Sequence, residues 1–531
     1  MSGIGKGIAS SAIGRILKGK DFSVTAIKID PYINVDAGTM NPTEHGEVFV
    51  LDDGYETDQD MGNYERFLGE TLPSINYMTT GRVYQEIIRR ERNLEYGGKN
   101  VEVVPHVPLE VIRRIEEAQK LAKADVTLVE VGGTIGEYQN IIFLEAARML
   151  KQKYPNDVAV VMVSYVPLPH NIGEMKTKPT QYASRELNSA GLQADIILAR
   201  AEVPLDQKRK DKIATFCNVA PERVISAPDV ESIYDVPLNF EKDDLGNILC
   251  KVLGLPEKQS NLKDWEAFVA KSKNGTAVVP IAVVGKYFNS GDFVLSDVYI
   301  SVLEALKAAA YHLSLKLEIT YINSKDFETG ATPLSVLDKY AGVLIPGGFG
   351  ETGIEGKIKV IEYVRTKKIP YFGLCYGMQL AVVEYARHMS GLPDAHTTEI
   401  NPDTQCPVVM VMESQKENVA EGKLGGTMRL GAYPAQLAEG TIAREVYGKT
   451  DISERHRHRY EVNPKYVEQM EKAGLVFSGR SPDGVLMEIA ELPKNVHPFF
   501  LGTQFHPEFL SRPLSPHPLF VAFIKAASEK K

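Results

Sequence analysis

Short apolar runs alternate with helix-length segments of mixed polarity through the first half of the chain. Alternation of this kind is typical of strands and helices that build a mostly parallel sheet. The runs that we predict as strands are residues 24–29, 101–104, 126–131, 158–163 and 195–199. The pattern therefore predicts an α/β fold for this half of the protein.

The pattern restarts after a polar stretch at residues 255–278, which contains the only tryptophan, Trp265. We interpret this stretch as a linker between two domains, residues 1–254 and residues 279–531. Each domain is long enough to bury a core of its own. In the second domain we predict strands at 279–284, 317–322, 342–345 and 371–374 and helices at 296–310 and 355–366.

Composition narrows the class of protein. The chain has 531 residues, of which 44% are hydrophobic and 24% are charged, as expected for a soluble globular protein. The formal net charge of −9 argues against a general nucleic-acid binder, so any phosphate site must be local. We find no apolar run of about 18 residues that would cross a membrane and no signal peptide. Dispersed cysteines without a C-x-x-C pair fit a reducing compartment without structural zinc, and we expect a cytoplasmic protein.

A cysteine between two glycines, in Gly-Leu-Cys-Tyr-Gly, follows the apolar run at 371–374. Glycines permit a sharp strand-to-helix turn that exposes Cys375, and a helix N-terminus stabilises a thiolate. Far downstream, His506 could take the thiol proton and Glu508 could fix the imidazole tautomer. The alternative is a buried structural cysteine. The glycine elbow and the His-x-Glu pair together favour a catalytic nucleophile.

The chain opens with Ser-Gly-Ile-Gly-Lys-Gly at residues 2–7, before a helical pattern. Glycines, a lysine and a helix N-terminus are typical of a loop that cradles phosphate. No Ser or Thr follows Lys6, as it would in the usual P-loop, so a structural turn is the alternative. Lys28, Asp60 and Glu130 lie at or near predicted strand ends, where Mg²⁺ bridging phosphates would sit. The alternative for the carboxylates is a solvated loop.

Cys375, His506, Glu508 and the glycine turn at 346–350 resemble the class I glutamine amidotransferases, in which such a cysteine attacks the side-chain amide of glutamine. Further segments resemble the CTP synthase family, and the resemblance spans essentially the whole chain; they are residues 30–40, 45–50, 63–67, 176–181, 425–431 and 454–463. The resemblance implies an N-terminal P-loop-like domain with a mostly parallel sheet and a C-terminal amidotransferase α/β domain. It implies ATP-dependent amination of UTP to CTP with ammonia released from glutamine.

The resemblance also implies roles for individual residues. The triad of Cys375, His506 and Glu508 would hydrolyse glutamine. The other implied contacts are, for ATP, Gly3, Ile4, Gly5, Lys6, Gly7, Lys28 and Asp60; for Mg²⁺, Asp60 and Glu130; for UTP or CTP, Ser2, Glu137, Tyr138, Gln139, Lys176, Thr177, Lys178, Pro179, Thr180, Gln181 and Lys212; and for glutamine, Gly348, Tyr376, Gly377, Met378, Gln379, Glu399 and Arg459. GTP is implied as an allosteric activator and a homotetramer as the assembly.

Several features depart from the family pattern. The family has a strand and a Gly-Gly-Val turn before Ser2, so we expect this chain to lack part of its phosphate loop. The alternative function is therefore a catalytically impaired structural or filament-forming homologue. Gln139 stands where the family has a glutamate that contacts the CTP ribose, and Thr352 where it has an arginine, so we expect CTP feedback and GTP activation to differ. His456 and His458 lie among arginines, which predicts a solvated or ligand-facing loop rather than metal ligands.

Overall fold

The computed structural model describes residues 3–169, 171, 173–286, 296–348, 350–412, 415 and 427–530. Ser2, Phe349, Gly425 and Gly426, which belong to motifs named above, lie outside the described residues. The chain forms two compact units, one of residues 1–36 and 63–269 and the other of residues 37–62 and 270–531. The chain therefore leaves the first unit between residues 37 and 62 and returns to it before it enters the second unit again at residue 270.

Two parallel sheets of three strands organise the first unit. Their central strands are Val24–Asp30, which is buried along its whole length, and Ile196–Ala201. The α/β class and the parallel pairing predicted for this half are confirmed. In sheet order, the strands are Tyr77–Thr79, Val24–Asp30 and Val126–Val131 in one sheet and Val161–Tyr165, Ile196–Ala201 and Val224–Pro228 in the other.

The predicted strand at residues 101–104 is wrong. This stretch leads into the helix Val103–Ala122, and its last two valines are 53% and 47% exposed. Pro105 and Pro108 follow, and proline lacks the N–H that a strand ladder needs but is tolerated near the start of a helix. The strand that pairs with Val24–Asp30 on the side opposite Val126–Val131 is Tyr77–Thr79. It is too short to stand out as an apolar run in the sequence.

Helices cover these sheets. The helix Lys6–Gly19 begins after Gly5, whose φ of 87° is a left-handed conformation that glycine adopts freely. The helix Lys263–Lys273 falls within the predicted linker, and its Trp265 is fully buried and donates a 2.8 Å hydrogen bond to the carbonyl of Tyr234. The other helices before residue 270 are Pro42–His45, Gln59–Leu68, Thr80–Arg92, Val103–Ala122, Ile141–Lys153, Lys178–Ser189, Gln207–Cys217, Val236–Glu241 and Leu245–Val252.

A nine-stranded sheet organises the second unit. Five strands, from Lys316–Asn323 to Phe500–Thr503 in sheet order, are parallel. The other four strands continue the sheet with antiparallel pairing. The four strands predicted by sequence for this unit are all confirmed. In sheet order, the strands are Lys316–Asn323, Val278–Gly285, Gly342–Ile345, Tyr371–Leu374, Phe500–Thr503, Met487–Glu491, Val476–Arg480, Arg429–Leu437 and Asp451–His458.

Helices and a small sheet complete the second unit. Helices Ile354–Thr366 and Tyr376–His388 share one buried apolar cluster with the large sheet, and Ile300–His312 and Pro518–Ser528 share another. Among the helices in the described residues, we find none long and apolar enough to span a bilayer. The remaining elements are helices Ser324–Thr329, Ile442–Tyr447 and Pro464–Lys472 and a three-stranded sheet of Ala395–Thr397, Cys406–Val411 and Tyr460–Val462.

Residues 37–62, which we call the inserted segment, pack with the second unit although they lie inside the predicted domain 1–254. The segment contains an antiparallel hairpin of Val48–Val50 and Glu56–Asp58. The carboxylate of Glu47 accepts a 3.1 Å hydrogen bond from the N–H of Ser301, at the start of a helix. The segment is thus held to the second unit by buried polar contacts as well as by apolar packing.

Candidate active site

Three neighbouring parallel strands of the nine-stranded sheet end side by side and carry the predicted glutaminase residues. Cys375 directly follows Tyr371–Leu374, and His506 follows Phe500–Thr503. The glycine turn begins after Gly342–Ile345. Because the carboxyl ends of parallel strands share one edge of a sheet, residues far apart in the sequence meet there.

Cys375 occupies a strained turn between strand and helix. Its φ of 48° and ψ of −97° are unusual for a residue with a side chain. Its N–H donates a 2.6 Å hydrogen bond to the carbonyl of Thr503, and its thiol donates to the carbonyl of Arg457 over 3.8 Å. Gly377 keeps the turn compact, because a Cβ there would lie 2.3 Å from the carbonyl oxygen of Ile345. These contacts fix the thiol beside the helix N-terminus.

Glu508 orients the imidazole of His506. Nδ1 of His506 lies 2.7 Å from Oε1 of Glu508, and both side chains are buried. Burial lowers the pKa of His506, but attraction to Glu508 and to Cys375 outweighs it and raises that pKa to about 10. Within the part of the chain that the structure describes, Nε2 of His506 has no hydrogen-bond partner, which leaves it for proton exchange with a thiol.

Gly347 lies directly against the thiol and the imidazole. A Cβ at this position would be 2.8 Å from Cε1 of His506 and 3.7 Å from Cβ of Cys375. A turn so close to the nucleophile can present amide N–H groups to a developing oxyanion. In the same turn, the N–H of Gly350 donates a 2.7 Å hydrogen bond to Oε1 of Glu399.

A buried lysine, Lys357, and a half-buried one, Lys286, lie near Glu399. Burial lowers the pKa of Lys286 to about 8 and the pKa of Lys357 to about 7. Burial also raises the pKa of Glu399, against the Gly350 hydrogen bond and the charges of both lysines. Sequence reasoning missed both lysines, because nothing in their local pattern separates a buried lysine from a surface one.

Of the predicted glutamine contacts, Gly348, Glu399 and Arg459 lie near the glycine turn. A Cβ at Gly348 would lie 3.7 Å from Cε of Lys286. Burial lowers the pKa of Arg459, and the charge of Glu399 is among the groups that oppose this shift. The guanidinium of Arg459 also donates to Oγ1 of Thr427 over 3.4 Å. An arginine fork and a carboxylate at one site suit the two charged groups of a free amino acid.

The other predicted glutamine contacts begin the helix Tyr376–His388. Tyr376, Met378 and Gln379 are each at most 2% exposed, and Nε2 of Gln379 donates a 2.9 Å hydrogen bond to the carbonyl of Tyr460. Met378 packs against Gly502, where a Cβ would lie 2.8 Å from Cβ of Met378. The side chains of Met378 and Gln379 therefore support the elbow, and their part in glutamine binding stays a prediction.

His456 and His458 lie on a buried strand, and the predicted solvated loop is wrong. They belong to Asp451–His458 and are 0% and 5% exposed. Burial holds the pKa of both rings well below its usual value. The neighbouring arginines suggested exposure but are themselves paired inside the unit; Arg457, for example, lies 2.8 Å from Glu56.

In the first unit, the glycine-rich loop leads into a helix through two left-handed glycines. Gly3 and Gly5 have φ angles of 70° and 87°, and the helix that follows has no side-chain cap on its N-terminus among the described residues. Ile4 and Gly7 are buried. Nζ of Lys6 donates a 3.0 Å hydrogen bond to the carbonyl of Gly133, in the turn after Val126–Val131. The loop thus lies beside the carboxyl end of that strand.

Lys28 and Glu130 form a buried ion pair across adjacent strands. Nζ of Lys28 lies 3.0 Å from Oε1 of Glu130 and 3.7 Å from Oδ1 of Asp30. The hydroxyl of Tyr64 donates to the second oxygen of Glu130. Carboxylate oxygens suit Mg²⁺, and an ion that bridges ATP phosphates takes only one or two ligands from the protein. The donor set therefore fits Mg²⁺ carried by a nucleotide.

Asp60, the second predicted Mg²⁺ ligand, lies in the first turn of Gln59–Leu68 and belongs to the second unit. Its N–H donates a 2.9 Å hydrogen bond to Oδ1 of Asp58. Across the described parts of the chain, no group of three or more His, Cys, Asp or Glu side chains is arranged to hold a metal ion by itself.

Three cations converge on Glu174 near the predicted UTP site. Nζ of Lys176 lies 2.8 Å and a guanidinium nitrogen of Arg209 lies 3.2 Å from the Glu174 carboxylate. The hydrogen bond from Lys176, together with the charges of Arg209 and Lys212, holds the pKa of Glu174 below its usual value. Sequence reasoning missed Arg209, although its position near Lys212 in one basic helix was a usable signal. The cluster suits the phosphates of a nucleotide.

The rest of the predicted UTP segment starts the helix Lys178–Ser189, with Pro179 exposed in its first turn. Thr177 and Gln181 are buried and share a 3.1 Å hydrogen bond. Thr180 is buried and accepts a 3.0 Å hydrogen bond from the hydroxyl of Ser164. Nζ of Lys178 lies 5.5 Å from the ring centroid of Phe216. These contacts anchor the helix start, and direct contact with UTP stays a prediction.

Glu137, Tyr138 and Gln139 follow the turn of Gly132 and Gly133. Oε2 of Glu137 accepts a 3.0 Å hydrogen bond from the N–H of Thr134. Tyr138 is 94% exposed, and Gln139 is exposed beside it. Tyr138 and Gln139 line a groove of about 500 Å³ with residues that include Ile33, Tyr84 and Val103. The groove is open and mostly apolar.

Comparisons with known proteins agree across the whole chain. The family model for the CTP synthase N-terminus matches residues 1–255, and the model for class I glutamine amidotransferases matches residues 294–526. CTP synthases of Pyrococcus furiosus, Pyrococcus abyssi and Thermococcus kodakarensis are 51%, 50% and 49% identical to this chain, and each match covers 100% of the chain and 97% of the relative. Among solved structures, the glutaminase domain of Trypanosoma brucei CTPS with bound acivicin is 36% identical over 48% of this chain and 95% of that chain, with a TM-score of 0.43.

Proposed function

The chain belongs to the CTP synthases, which make CTP from UTP with glutamine as the nitrogen donor, and from that premise we propose that Cys375, His506 and Glu508 release the ammonia. The observation that carries the proposal is the placement of the strained Cys375 and the Glu508-bound His506 on adjacent parallel strands. His506 takes the thiol proton through Nε2, and Glu508 stabilises the imidazolium that results.

In the proposed reaction, the Cys375 sulfur attacks the side-chain amide carbon of glutamine. The tetrahedral oxyanion lies at the glycine turn beside Gly347, where backbone N–H groups stabilise it. His506 then gives its proton to the leaving nitrogen, and ammonia departs. A water molecule hydrolyses the thioester, which returns glutamate and the free thiol. Arg459 and Glu399 hold the α-carboxylate and α-ammonium of glutamine during these steps.

The first unit is proposed to bind the nucleotides. ATP phosphorylates the uracil O4 of UTP, and ammonia displaces that phosphate. The loop Gly3–Gly7 and Lys28 contact the ATP phosphates, and Lys176 and Lys212 contact the UTP phosphates. Lysines and a helix N-terminus suit this division of labour, because phosphoryl transfer depends on positioning and charge rather than on a protein nucleophile.

Mg²⁺ is proposed to enter with ATP, and Glu130 of the first unit would hold it. When bound, it would neutralise charge on the transferring phosphoryl group. Lys28 holds Glu130 in place across the two strands through their 3.0 Å ion pair. Tyr64 orients the second carboxylate oxygen.

We further propose that the protein is a cytoplasmic homotetramer activated by GTP. Support for self-association comes from large apolar side chains exposed around the groove of the first unit, with Ile33 at 75%, Val103 at 53% and Ile141 at 52%. Apolar patches of this kind usually mark an interaction surface. Light scattering after gel filtration, with and without UTP and ATP, tests the tetramer. Titration of the glutaminase rate with GTP tests the activation.

The deciding experiment is Cys375→Ala in the full chain. We expect glutamine-dependent CTP formation to fall about 10⁴-fold or more, because a covalent nucleophile is lost. Ammonia-dependent CTP formation should persist, because it does not use the thiol. Loss of both activities in a folded variant would contradict the separation of roles. A parent protein that makes no CTP even from ammonia would favour the alternative of a catalytically impaired homologue.

A further inference from the structure

The strand that touches the glutaminase triad is held from its other side by the inserted segment. In the strand Asp451–His458, the main-chain carbonyls of Arg455 and Arg457 accept hydrogen bonds from two residues of the triad. The carbonyl of Arg455 accepts a 2.8 Å hydrogen bond from the N–H of His506. The carbonyl of Arg457 accepts the thiol hydrogen bond of Cys375 over 3.8 Å. This short stretch of backbone therefore sets the positions of both the nucleophile and the base.

The side chains of the same two arginines bind the inserted segment. Nε of Arg457 lies 2.8 Å from Oε1 of Glu56, and this pair is nearly closed to solvent, with side-chain exposures of 15% and 1%. Arg455 is fully buried, forms an ion pair with Asp52 and donates a 3.1 Å hydrogen bond to the carbonyl of Val50. When one partner of a buried ion pair is lost, the other charge stays buried without compensation, so the Glu56–Arg457 pair constrains both of its side chains.

Apolar contacts run alongside the ion pairs. Phe49 of the inserted segment meets Phe509 edge-on, with ring centroids 5.0 Å apart. Phe509 in turn stacks on the imidazole of His506 at a centroid distance of 5.0 Å and an interplanar angle of 15°. The guanidinium of Arg455 lies 5.4 Å from the Phe49 centroid. The inserted segment thus supports the catalytic ring through a single intervening side chain.

Gly38 lies so close to the side chain of Glu56 that only glycine fits there. A Cβ at Gly38 would lie 2.1 Å from Oε2 of Glu56, and the N–H of Ala37 donates a 3.2 Å hydrogen bond to the carbonyl of Glu56. The carbonyl of Gly38 also accepts a 3.4 Å hydrogen bond from Arg457. The carboxylate is therefore confined to one position, which suits a group that must hold a strand in register.

From these contacts we propose that the inserted segment is a positioning element of the glutaminase, in which Glu56 acts through Arg457 on the nucleophile. The inference rests on the proposed role of Cys375 and goes beyond it, because it assigns a glutaminase task to residues within the match to the CTP synthase N-terminus. Glu56 and Arg457 touch neither substrate nor reacting atoms with their side chains in this scheme. They are positioning residues.

A double-mutant cycle in the full chain tests the proposal. The variants are Glu56→Gln, Arg457→Gln and the double variant, and Glu44→Gln, an exposed carboxylate of the same segment, is the matched control. Because small displacements of catalytic groups are costly, we expect each single variant to lower kcat for glutamine hydrolysis by about 10- to 100-fold, with KM within about threefold of the parent. The double variant should lose no more than the worse single variant, because both break one contact.

Two further readouts keep the test specific. Ammonia-dependent CTP formation should stay near the parent value in all variants, and thermal unfolding curves establish that each variant is folded at the assay temperature. The proposal is overturned by parent-like kcat in both single variants, by additive losses, by a rise in KM alone, or by an equal loss of ammonia-dependent synthesis. Cys375→Ala is assayed in parallel: if it retained glutamine hydrolysis, the assignment of the nucleophile would fail independently of the proposed role of Glu56 and Arg457.

Discussion

The carboxylate of Glu508 and the imidazole of His506 are joined by a 2.7 Å contact between Oε1 and Nδ1, on a loop that both residues share. Only one residue separates the two in the sequence, so the contact forms as soon as this loop folds. The placement of Cys375 near His506 depends instead on two parallel strands that lie far apart in the chain. The proposed triad therefore combines one local contact with a placement that only the folded sheet provides.

Glu508→Gln should impair glutamine hydrolysis through His506. The variant keeps the shape of the side chain but removes one of the two charges, those of Glu508 and Cys375, that raise the pKa of His506 to about 10. The imidazolium that forms during catalysis then loses its stabilisation, and we expect kcat to fall by about 10²- to 10⁴-fold. Steady-state glutaminase assays measure the loss. Ammonia-dependent synthesis is the internal control, and an unchanged kcat would contradict the role of Glu508.

Much of this arrangement could be predicted from sequence because its signals are local. The apolar runs of the second unit predict its strands, and the glycines around Cys375 predict a sharp strand-to-helix turn. Neither prediction needs tertiary information. The contact of Glu56 with Arg457 could not be predicted, since the two residues are 401 positions apart and each looks like an ordinary surface charge. The arginine-rich strand was misread for the same reason. Charge in a sequence does not reveal whether a partner will bury it.

Lys6→Ala should remove CTP synthesis with either nitrogen source. Lys6 begins the helix after the glycine loop, and its loss deletes a positive charge at the proposed phosphate site. We expect the ammonia-dependent rate to fall by about 10²- to 10³-fold, as for the loss of one group that stabilises transition-state charge. Glutamine hydrolysis should survive. Lys99→Met, at an exposed position of the same unit, is the matched control. A parent-like ammonia-dependent rate in Lys6→Ala would contradict the phosphate-site assignment.

Gln139→Glu should strengthen inhibition by CTP. A carboxylate at this exposed position can accept charge-assisted hydrogen bonds from both ribose hydroxyls, whereas the amide offers one neutral acceptor. The difference is about 1 to 2 kcal/mol, so the inhibition constant of CTP should fall by roughly 5- to 30-fold. The measurement is CTP inhibition of ammonia-dependent synthesis. Gln152→Glu, on the neighbouring exposed helix surface, controls for added charge. Equal constants in parent and Gln139→Glu would mean that position 139 does not contact the ribose.

Lys357 has no exposed surface, and within the described residues its ammonium has no hydrogen-bond partner. It lies 5.3 Å from the ring centroid of Tyr376, the residue after the nucleophile. Burial lowers its pKa from 10.5 to about 7. Burying the charged form therefore costs stability fully below pH 7, and the cost fades as the pH rises from about 7 to 10.5.

Lys357→Met should consequently stabilise the second unit. Methionine fills a similar volume without an unsatisfied donor, so the free energy of unfolding should rise by about 1 to 3 kcal/mol at neutral pH. The gain should be largest at or below pH 7 and should shrink toward pH 10.5, because the parent lysine is neutral in both states there. Denaturant unfolding across this range measures it. Lys359→Met, exposed on the same helix, should show no such trend. A variant less stable than the parent at pH 7 would mean that the buried ammonium is compensated by Glu399 strongly enough to stabilise the fold.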